Sequence, residues 1–161
     1  MNLIVRRNGA ALTADKMDRE RALQLLKGGY DSVQRWNRWR SKHSELPNLS
    51  HTDFTDVDLT DANFCDANLG KSNFLRARLV GAIFTNATLT GVSFRYANLN
   101  QAKLGSVKLI QVSFKGANLC GADFRRAIFK NVVFEFAECD VQTKWPDGFE
   151  PASAGLTPWP E

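Results

Sequence analysis

Residues 62–74 read Ala-Asn-Phe-Cys-Asp-Ala-Asn-Leu-Gly-Lys-Ser-Asn-Phe, and the same five-residue pattern runs through the middle of the chain. From Leu49 to Phe134, every fifth residue is leucine or phenylalanine at eighteen consecutive positions. Two residues before each, from Thr52 to Val132, seventeen positions hold ten alanines, five valines, one threonine and one serine. Each unit of five therefore carries one large apolar residue and one small residue at fixed positions.

A period of five is incompatible with a uniform helix or strand. On an α-helix five residues turn through about 500°, so the large residues would spread over every face. On a straight strand they would alternate between the two faces. A single buried face therefore requires a chain that bends once per unit, with the large and small residues pointing inward. Asn, Asp, Ser, Thr and Gly crowd the outward positions, as bends require.

The periodicity restricts, but does not decide, how many units make one turn of the coil. A shift of three units matches the Leu/Phe string in three of fifteen positions, which disfavours three sides. A shift of four matches eleven of fourteen and a shift of two matches thirteen of sixteen, so both two and four sides remain. At the four-unit spacing, Phe54 to Phe134 form an unbroken phenylalanine column. Identical side chains stack well at the roughly 4.8 Å spacing of neighbouring strands.

Several units match a known consensus directly. They are Ala62-Asn63-Phe64, Ala67-Asn68-Leu69, Ala97-Asn98-Leu99, Ala117-Asn118-Leu119 and Ala122-Asp123-Phe124. With them, residues 49–138 resemble the pentapeptide-repeat family, whose unit is Ala, then Asp or Asn, then Leu or Phe, then two variable residues. The resemblance implies an all-β solenoid, a right-handed quadrilateral β-helix with four units per coil. Residues 23–29, 36–40 and 143–151 are similar to flanking segments of bacterial members, often cyanobacterial ones.

The flanks predict caps, because the unpaired edges of a repeat array invite end-to-end growth. The expected division is an N-terminal segment at 1–47, the β-helix at 48–140 and a C-terminal cap or tail at 141–161. We expect Trp145, Pro146 and Phe149 to fold over the last coil or to form a dimer contact. A hairpin around Asn8-Gly9 is a further expectation for residues 1–12.

Two short helices are predicted before the repeats. The first spans about 14–27, begins at Thr13 or Asp15 and ends at Gly28-Gly29. Its apolar side consists of Met17, Leu23 and Leu26. The second spans 31–42, with Asp31 or Ser32 as its N-cap. Its apolar stripe consists of Val33, Trp36 and Trp39. We expect this stripe to cover the first coil.

The composition fits one soluble globular domain. The 161 residues are 43% hydrophobic and 24% charged. The apolar runs are too short for a membrane span, and the one at the N-terminus is too short for a signal peptide. A cytoplasmic protein without a membrane partner is therefore expected. In that compartment Cys65, Cys120 and Cys139 should be free thiols, the first two outward and Cys139 buried.

The residues predict no enzyme. His43 and His51 have no Cys, Ser or carboxylate partner at a motif spacing, and neither a phosphate-binding glycine loop nor a metal-ligand cluster is present in the sequence. We therefore expect neither catalytic residues nor a cofactor or metal.

Charge is unevenly distributed. Residues 1–48 carry ten Lys and Arg against five Asp and Glu, residues 49–140 ten against nine, and residues 141–161 one against three. The early units carry Asp53, Asp56, Asp58, Asp61 and Asp66. Later units carry the candidate partner-binding surface, which is Lys103, Lys108, Lys115, Arg125, Arg126 and Lys130. This pattern is either a solubilising surface or a dipole that orients a partner.

Three functions compete. The first is a scaffold that binds a protein of unknown identity. The second, implied by the family, is DNA mimicry that binds DNA gyrase or topoisomerase, but it requires an acidic surface that these nearly balanced repeats lack. The third is nucleic-acid binding by the basic N-terminal helices, where residues 36–40 combine Trp with Arg. A homodimer is a further option, through the C-terminal end or through an outward apolar patch drawn from Leu75, Val80, Ile83, Ile110, Ile128 and Val133.

Overall fold

The computed structural model describes residues 17–158, in which two helices precede a repeat β-helix. The expected hairpin at 1–12 and the helix start at Thr13 or Asp15 lie outside these residues. The elements are α1 (Arg19–Lys27), α2 (Tyr30–Arg40), β1 (Lys108–Ile110), β2 (Ile128–Lys130), β3 (Glu138–Cys139), a 3-10 turn (Pro151–Ala154) and β4 (Thr157–Pro158).

The backbone pairs with itself every twenty residues. Asp53 pairs in parallel with Asn73, Asn73 with Ser93, and Ser93 with Ser113. Within β1 and β2 the same offset places Lys108 beside Ile128. The chain thus returns to the same position after four units, which excludes the two-unit alternative. Most pairings involve one residue per unit, because each side is too short for a longer strand.

Each unit ends in a tight turn, as the period of five requires. In a typical unit, the Ala62 amide donates to the Leu59 carbonyl at 3.0 Å, and Asp61 between them has φ of 60°. A hydrogen-bonded turn with a positive φ at its third residue is the type II form. The consensus Asn or Asp supports the bend: Asn63 Oδ1 accepts from the Cys65 amide at 3.0 Å. The repeat motif therefore encodes the bend as well as the core.

The large residues line four sides, numbered here in chain order. Side 1 holds Leu49, Leu69, Leu89, Leu109 and Phe129; side 2 holds Phe54, Phe74, Phe94, Phe114 and Phe134; side 3 holds Leu59, Leu79, Leu99, Leu119 and Cys139; side 4 holds Phe64, Phe84, Leu104, Phe124 and Trp145. Nearly all are fully buried. On side 2 the ring centroids are 4.9 Å apart for the first pair and 5.0 Å for the second. The predicted inward direction of these residues is confirmed.

The last coil contains one irregular unit. From Cys139 to Trp145 the step is six residues, and the Trp145 ring still stacks on Phe124 with centroids 5.1 Å apart. The Asp140 carboxylate accepts the Gly121 amide at 2.8 Å and the Thr143 amide at 3.0 Å, which holds the extra residue in place. The column of side 4 therefore continues past residue 140.

Both predicted helices exist, with shifted ends. α1 begins at Arg19, because Asp18 caps it by accepting the Arg21 amide at 2.8 Å. Residue 17 lies before the helix, although its side chain is buried as expected. α2 begins at Tyr30 and ends at Arg40, and its N-cap is Gly29, so the expected cap at Asp31 or Ser32 is wrong. Gly29 has φ of 82°, which reverses the chain between the helices.

The helices replace the coil that would precede the first one. On side 4, Trp36 Nε1 donates to the Asn63 carbonyl at 2.8 Å, and Asn37 Oδ1 accepts the Asn63 amide at 2.9 Å. On side 1, Arg19 donates to the carbonyls of Asn48 and Ser50. In inner coils the equivalent groups bond to backbone of the preceding coil. The prediction that the apolar stripe of α2 covers the first coil is confirmed for side 4, where Trp36 lies.

Aromatic residues close the other end. The Phe149 ring lies 4.9 Å from both the Phe129 and the Trp145 rings. β4 pairs in parallel with β3. Phe149 packs against the last coil as predicted, whereas Trp145, expected to fold over that coil, belongs to it as its side 4 residue.

Candidate partner-binding surface

Five of the six predicted cations lie on two adjoining sides. Lys103 and Arg125 belong to side 4, Lys108 and Lys130 belong to side 1, and Arg126 sits in the turn between them; all five are exposed. Because side 4 leads into side 1 at each coil, these residues share one edge of the later coils.

The sixth cation does not join them. Lys115 lies on side 2, where its Nζ forms an ion pair with Glu135 at 2.7 Å and lies 5.4 Å from the centre of the Phe136 ring. Its charge is thus already partly compensated. The predicted set of six is therefore not one surface, because the residue spacing places Lys115 on a different side.

A cation that the sequence pattern did not select completes the group. Lys144 is exposed and pairs with Asp123, which pairs in turn with Lys103, so the three form one column on side 4. The pattern did not select Lys144, because a strict count in fives from Cys139 places it at the position of a large inward residue. The unit has six residues, so that position belongs to Trp145. The signal was present in Thr143-Lys144-Trp145, which keeps the small–variable–large order of the repeat. We call the cluster Lys103, Lys108, Arg125, Arg126, Lys130 and Lys144 the basic corner.

One carboxylate lies inside the basic corner. Arg125 Nη2 contacts Asp123 Oδ2 at 2.6 Å. The hydrogen bond from Arg125 lowers the pKa of Asp123, and the same bond raises the pKa of Arg125. Within residues 17–158, no carboxylate forms an ion pair with the other five cations. The basic corner therefore keeps a clear excess of positive charge.

The depression between these side chains is shallow. It measures about 310 Å³ and is lined by Gly105, Ser106, Asp123, Arg125 and Arg126. Gly105 has no side chain at a position that the next coil fills with Arg125, and this difference creates the hollow. Its form suits the contact of a side chain from a partner surface better than the enclosure of a small molecule.

Some carboxylates of the first coil are paired with arginines, so they are less available to a partner than the composition indicates. Arg76 contacts both carboxylate oxygens of Asp56 at 2.7 Å. The hydrogen bond from Arg76 lowers the pKa of Asp56. Arg40 lies 3.8 Å from Asp66. The predicted dipole along the repeats is thus weakened at its acidic end.

Exposed apolar residues concentrate in the last coil. Of the six that the sequence singled out, only Ile128 and Val133 are exposed, at 58% and 45%, and the six are spread over all four sides. Phe136 at 65% and Val141 at 88% are more exposed, but they occupy turn positions that the apolar pattern did not select. Ile128 pairs with Lys108 and lies two residues from Lys130, so it belongs to the basic corner's surroundings.

The cysteines are buried or half-buried, and one histidine stacks on an aromatic ring. All three cysteines are free; Cys139 is buried as expected, whereas Cys120, expected to be outward, is only 9% exposed. Burial raises the pKa of each thiol, and the Asp140 carboxylate adds to the effect at Cys120. The His43 ring stacks on Trp39 at 4.6 Å.

Two wider features concern metals and membranes. Within residues 17–158, no three His, Cys, Asp or Glu side chains lie together as a metal site. In the same part of the chain, neither helix has the length and apolar character that a bilayer crossing requires.

Three solved structures of pentapeptide repeat proteins are similar to this chain. One, from the Arabidopsis thaliana thylakoid lumen, is 33% identical over 56% of this chain and 63% of its own, with a TM-score of 0.55. Another, from Nostoc PCC 7120, is 31% identical over 66% and 84%, with a TM-score of 0.44. The third, from Cyanothece 51142, is 31% identical over 55% and 64%, with a TM-score of 0.43. This chain spans less than two thirds of the Arabidopsis protein's length.

The family assignment follows from the repeats. No curated protein matches the chain. The family model described as pentapeptide repeats (8 copies) matches residues 48–86, 72–109 and 108–138. These ranges overlap to cover residues 48–138, which is 91 of the 161 residues and more than half of the chain. The chain belongs to the pentapeptide-repeat family.

Proposed function

We propose that this protein is a non-enzymatic, cytoplasmic interaction module, a right-handed quadrilateral β-helix whose basic corner binds an acidic surface of a partner protein. The twenty-residue pairing supports the four-sided form, and the hand follows from family membership. A stack of short, hydrogen-bonded sides presents its outward side chains at fixed spacing, which suits recognition of a surface.

One observation favours a protein partner over a nucleic acid. Ile128 is 58% exposed, pairs with Lys108 and lies two residues from Lys130. An exposed apolar side chain beside two cations is typical of a protein interface, in which an apolar centre has a polar rim. Phosphate backbones are bound mainly by charge, and an exposed isoleucine adds nothing to that contact.

The structure also bears on the alternatives. Trp36 is fully buried and Arg40 is nearly so, since both serve the cap on the first coil. Trp36 and Arg40 are therefore unavailable for stacking on bases, which weakens this alternative. DNA mimicry requires a strongly acidic surface, and the unpaired charge of the later coils is positive.

Cross-linking in the native host tests the proposal. In one variant Lys108, Arg126 and Lys130 are replaced by glutamate. The control variant replaces Lys71, Arg78 and Arg95, which are exposed cations on other parts of the β-helix, with the same change in charge. We expect partners whose acidic segments cross-link to the basic corner of the wild type and the control, and not to that of the first variant. Equal cross-linking by both variants contradicts the proposal. Binding of duplex DNA at low salt that only the first variant loses would assign the corner to nucleic acid instead.

A further inference from the structure

The first coil has a backbone edge that the helices cover on only two of its four sides. In inner coils, the residue before each large residue bonds to the preceding coil through both its amide and its carbonyl. The Asn73 amide donates to the Thr52 carbonyl at 2.9 Å, and the Asn73 carbonyl accepts the Phe54 amide at 2.7 Å. The carbonyl after the large residue is also used: that of Leu75 accepts from Asp56 at 2.9 Å. Every coil therefore offers three such groups per side to its predecessor.

Sides 2 and 3 of the first coil keep these groups unpaired within residues 17–158. Side chains of α2 satisfy side 4, and Arg19 satisfies the carbonyls of side 1. By contrast, no described residue bonds to the amides of Asp53 and Asp58 or to the carbonyls of Asp53, Thr55, Asp58 and Thr60. We call these groups the open edge. An unpaired strand edge is a template for an added strand.

The cap also leaves an apolar gap at the open edge. Val57 points inward at the turn between sides 2 and 3, yet it is only half-buried. The equivalent residues on either side of it, Thr52 and Ala62, are 4% and 0% exposed. A side chain of an added strand would complete the cover over Val57.

Charge identifies the kind of segment that fits. Asp53 and Asp58 are exposed, and each uses Oδ1 to accept the amide two residues on, at 3.0 Å. Their second carboxylate oxygens make no close hydrogen bond to a described residue. Asp61 is exposed at the next turn. The nearby cations are Lys27, whose Nζ lies 5.8 Å from the Phe54 ring centre, and Arg78, which lies beside Asp58 in the next coil. Neither cation forms an ion pair with Asp53 or Asp58 within residues 17–158, so the open edge is a hydrogen-bonding edge that carries two exposed carboxylates.

We propose that the open edge binds an extended, Lys- and Arg-rich segment of a partner protein, which adds to the first coil as a strand. Its backbone pairs with the free amides and carbonyls, and its cations reach Asp53 and Asp58. This mode of recognition takes affinity from the main chain and specificity from the side chains. The open edge lies on sides 2 and 3 of the first coil, away from the basic corner, so each proposal stands or fails without the other.

Two peptides separate strand pairing from simple charge attraction. The first is the labelled peptide acetyl-Lys-Val-Lys-Val-Lys-Val-amide. The second has the same side chains, but alternate backbone nitrogens are methylated on the pairing edge. With the full chain at low salt, fluorescence anisotropy measures binding, and amide NMR spectra locate it. We expect the first peptide to bind, to shift the Asp53 and Asp58 amide signals, and to bind at least about tenfold more tightly than the methylated peptide.

A charge variant gives the second readout. Asn occupies the equivalent position in many units and makes the same turn bond, so D53N/D58N keeps the fold. We expect this variant to weaken binding severalfold. The control D147N/E150Q, which removes two exposed acids at the opposite end, should leave binding unchanged. Equal affinity for the two peptides, equal effects of the two variants, amide shifts elsewhere or no binding would each overturn the proposal.

Discussion

Replacing Trp36 by phenylalanine is expected to destabilise the protein by about 3 kcal/mol. Trp36 is fully buried, and its indole N–H satisfies the Asn63 carbonyl, which has no preceding coil to bond to. Phenylalanine retains much of the packing but leaves that carbonyl unpaired, at about 2 kcal/mol. The smaller ring loses about 1 kcal/mol of apolar contact. The measured loss of stability thus shows how well a helix side chain replaces the backbone of a missing coil.

Thermal and urea denaturation check this value. For a chain of this size the melting temperature should fall by roughly 6–12 °C. The control is Trp145→Phe at the other end, where the half-buried ring makes no hydrogen bond to residues 17–158 and the expected loss is about 1 kcal/mol. If the two substitutions cost the same, the indole N–H contributes nothing and the interpretation of α2 as a surrogate coil is incorrect.

Three further predictions concern the phenylalanine column of side 2, the acidic part of the stability–pH curve and the turn at Gly116. Phe94→Ala should cost about 3–5 kcal/mol in urea denaturation, because the ring stacks on both neighbours, whereas Phe94→Leu should cost less than half as much. Because Arg125 lowers the pKa of Asp123, this carboxylate stabilises the fold above about pH 4, and the contribution is lost as the pH falls through the folded-state pKa; D123N should flatten that part of the stability–pH curve. Gly116→Asn should cost about 1 kcal/mol, since its Cβ would lie 2.4 Å from the Tyr96 ring, and should cost less in a Y96S background. Equal losses for the two Phe94 variants, an unchanged acidic part of the curve or no rescue by Y96S would count against the respective argument.

The repeat itself was predictable because one constraint acts on every unit. The large and small positions must face inward in every unit, and in many units an Asn or Asp between them bonds to the amide two residues on, as Asn63 does. These requirements leave a regular trace in the sequence. The choice between two and four sides left a weaker trace, since alternating Leu and Phe satisfies both spacings. Only the pairing of Asp53 with Asn73 decides it.

The caps were predictable in kind but not in their contacts. The spacing of Val33 and Trp36 shows which face of α2 is apolar, but it does not show that an indole N–H meets a free carbonyl. The sequence does not decide where α1 begins, because Asp15 and Asp18 are both acceptable caps by residue type. Which aspartate caps the helix depends on where the first coil holds Arg19.

The candidate surface was predictable only as a list of charges. The sequence assigns Lys115 and Lys130 equally to the later coils. Lys115 is paired with Glu135 on side 2, whereas Lys130 on side 1 forms no ion pair with any residue of 17–158. Lys144 was missed because one inserted residue shifts the phase. The register of each coil, and not the composition, decides which cations meet.

The most direct test of the whole account is disulfide cross-linking across the proposed twenty-residue register. With the three native cysteines replaced, cysteines are introduced in pairs at Asn73/Ser93, Asn73/Ile83 and Asn73/Thr88. Neighbouring coils place paired residues within the Cα separation of about 4.4–6.8 Å that a disulfide needs. We expect rapid oxidation of the Asn73/Ser93 pair alone. Oxidation of the pair ten or fifteen residues apart, with the twenty-residue pair remaining reduced, would contradict the four-sided coil and every outward position assigned from it.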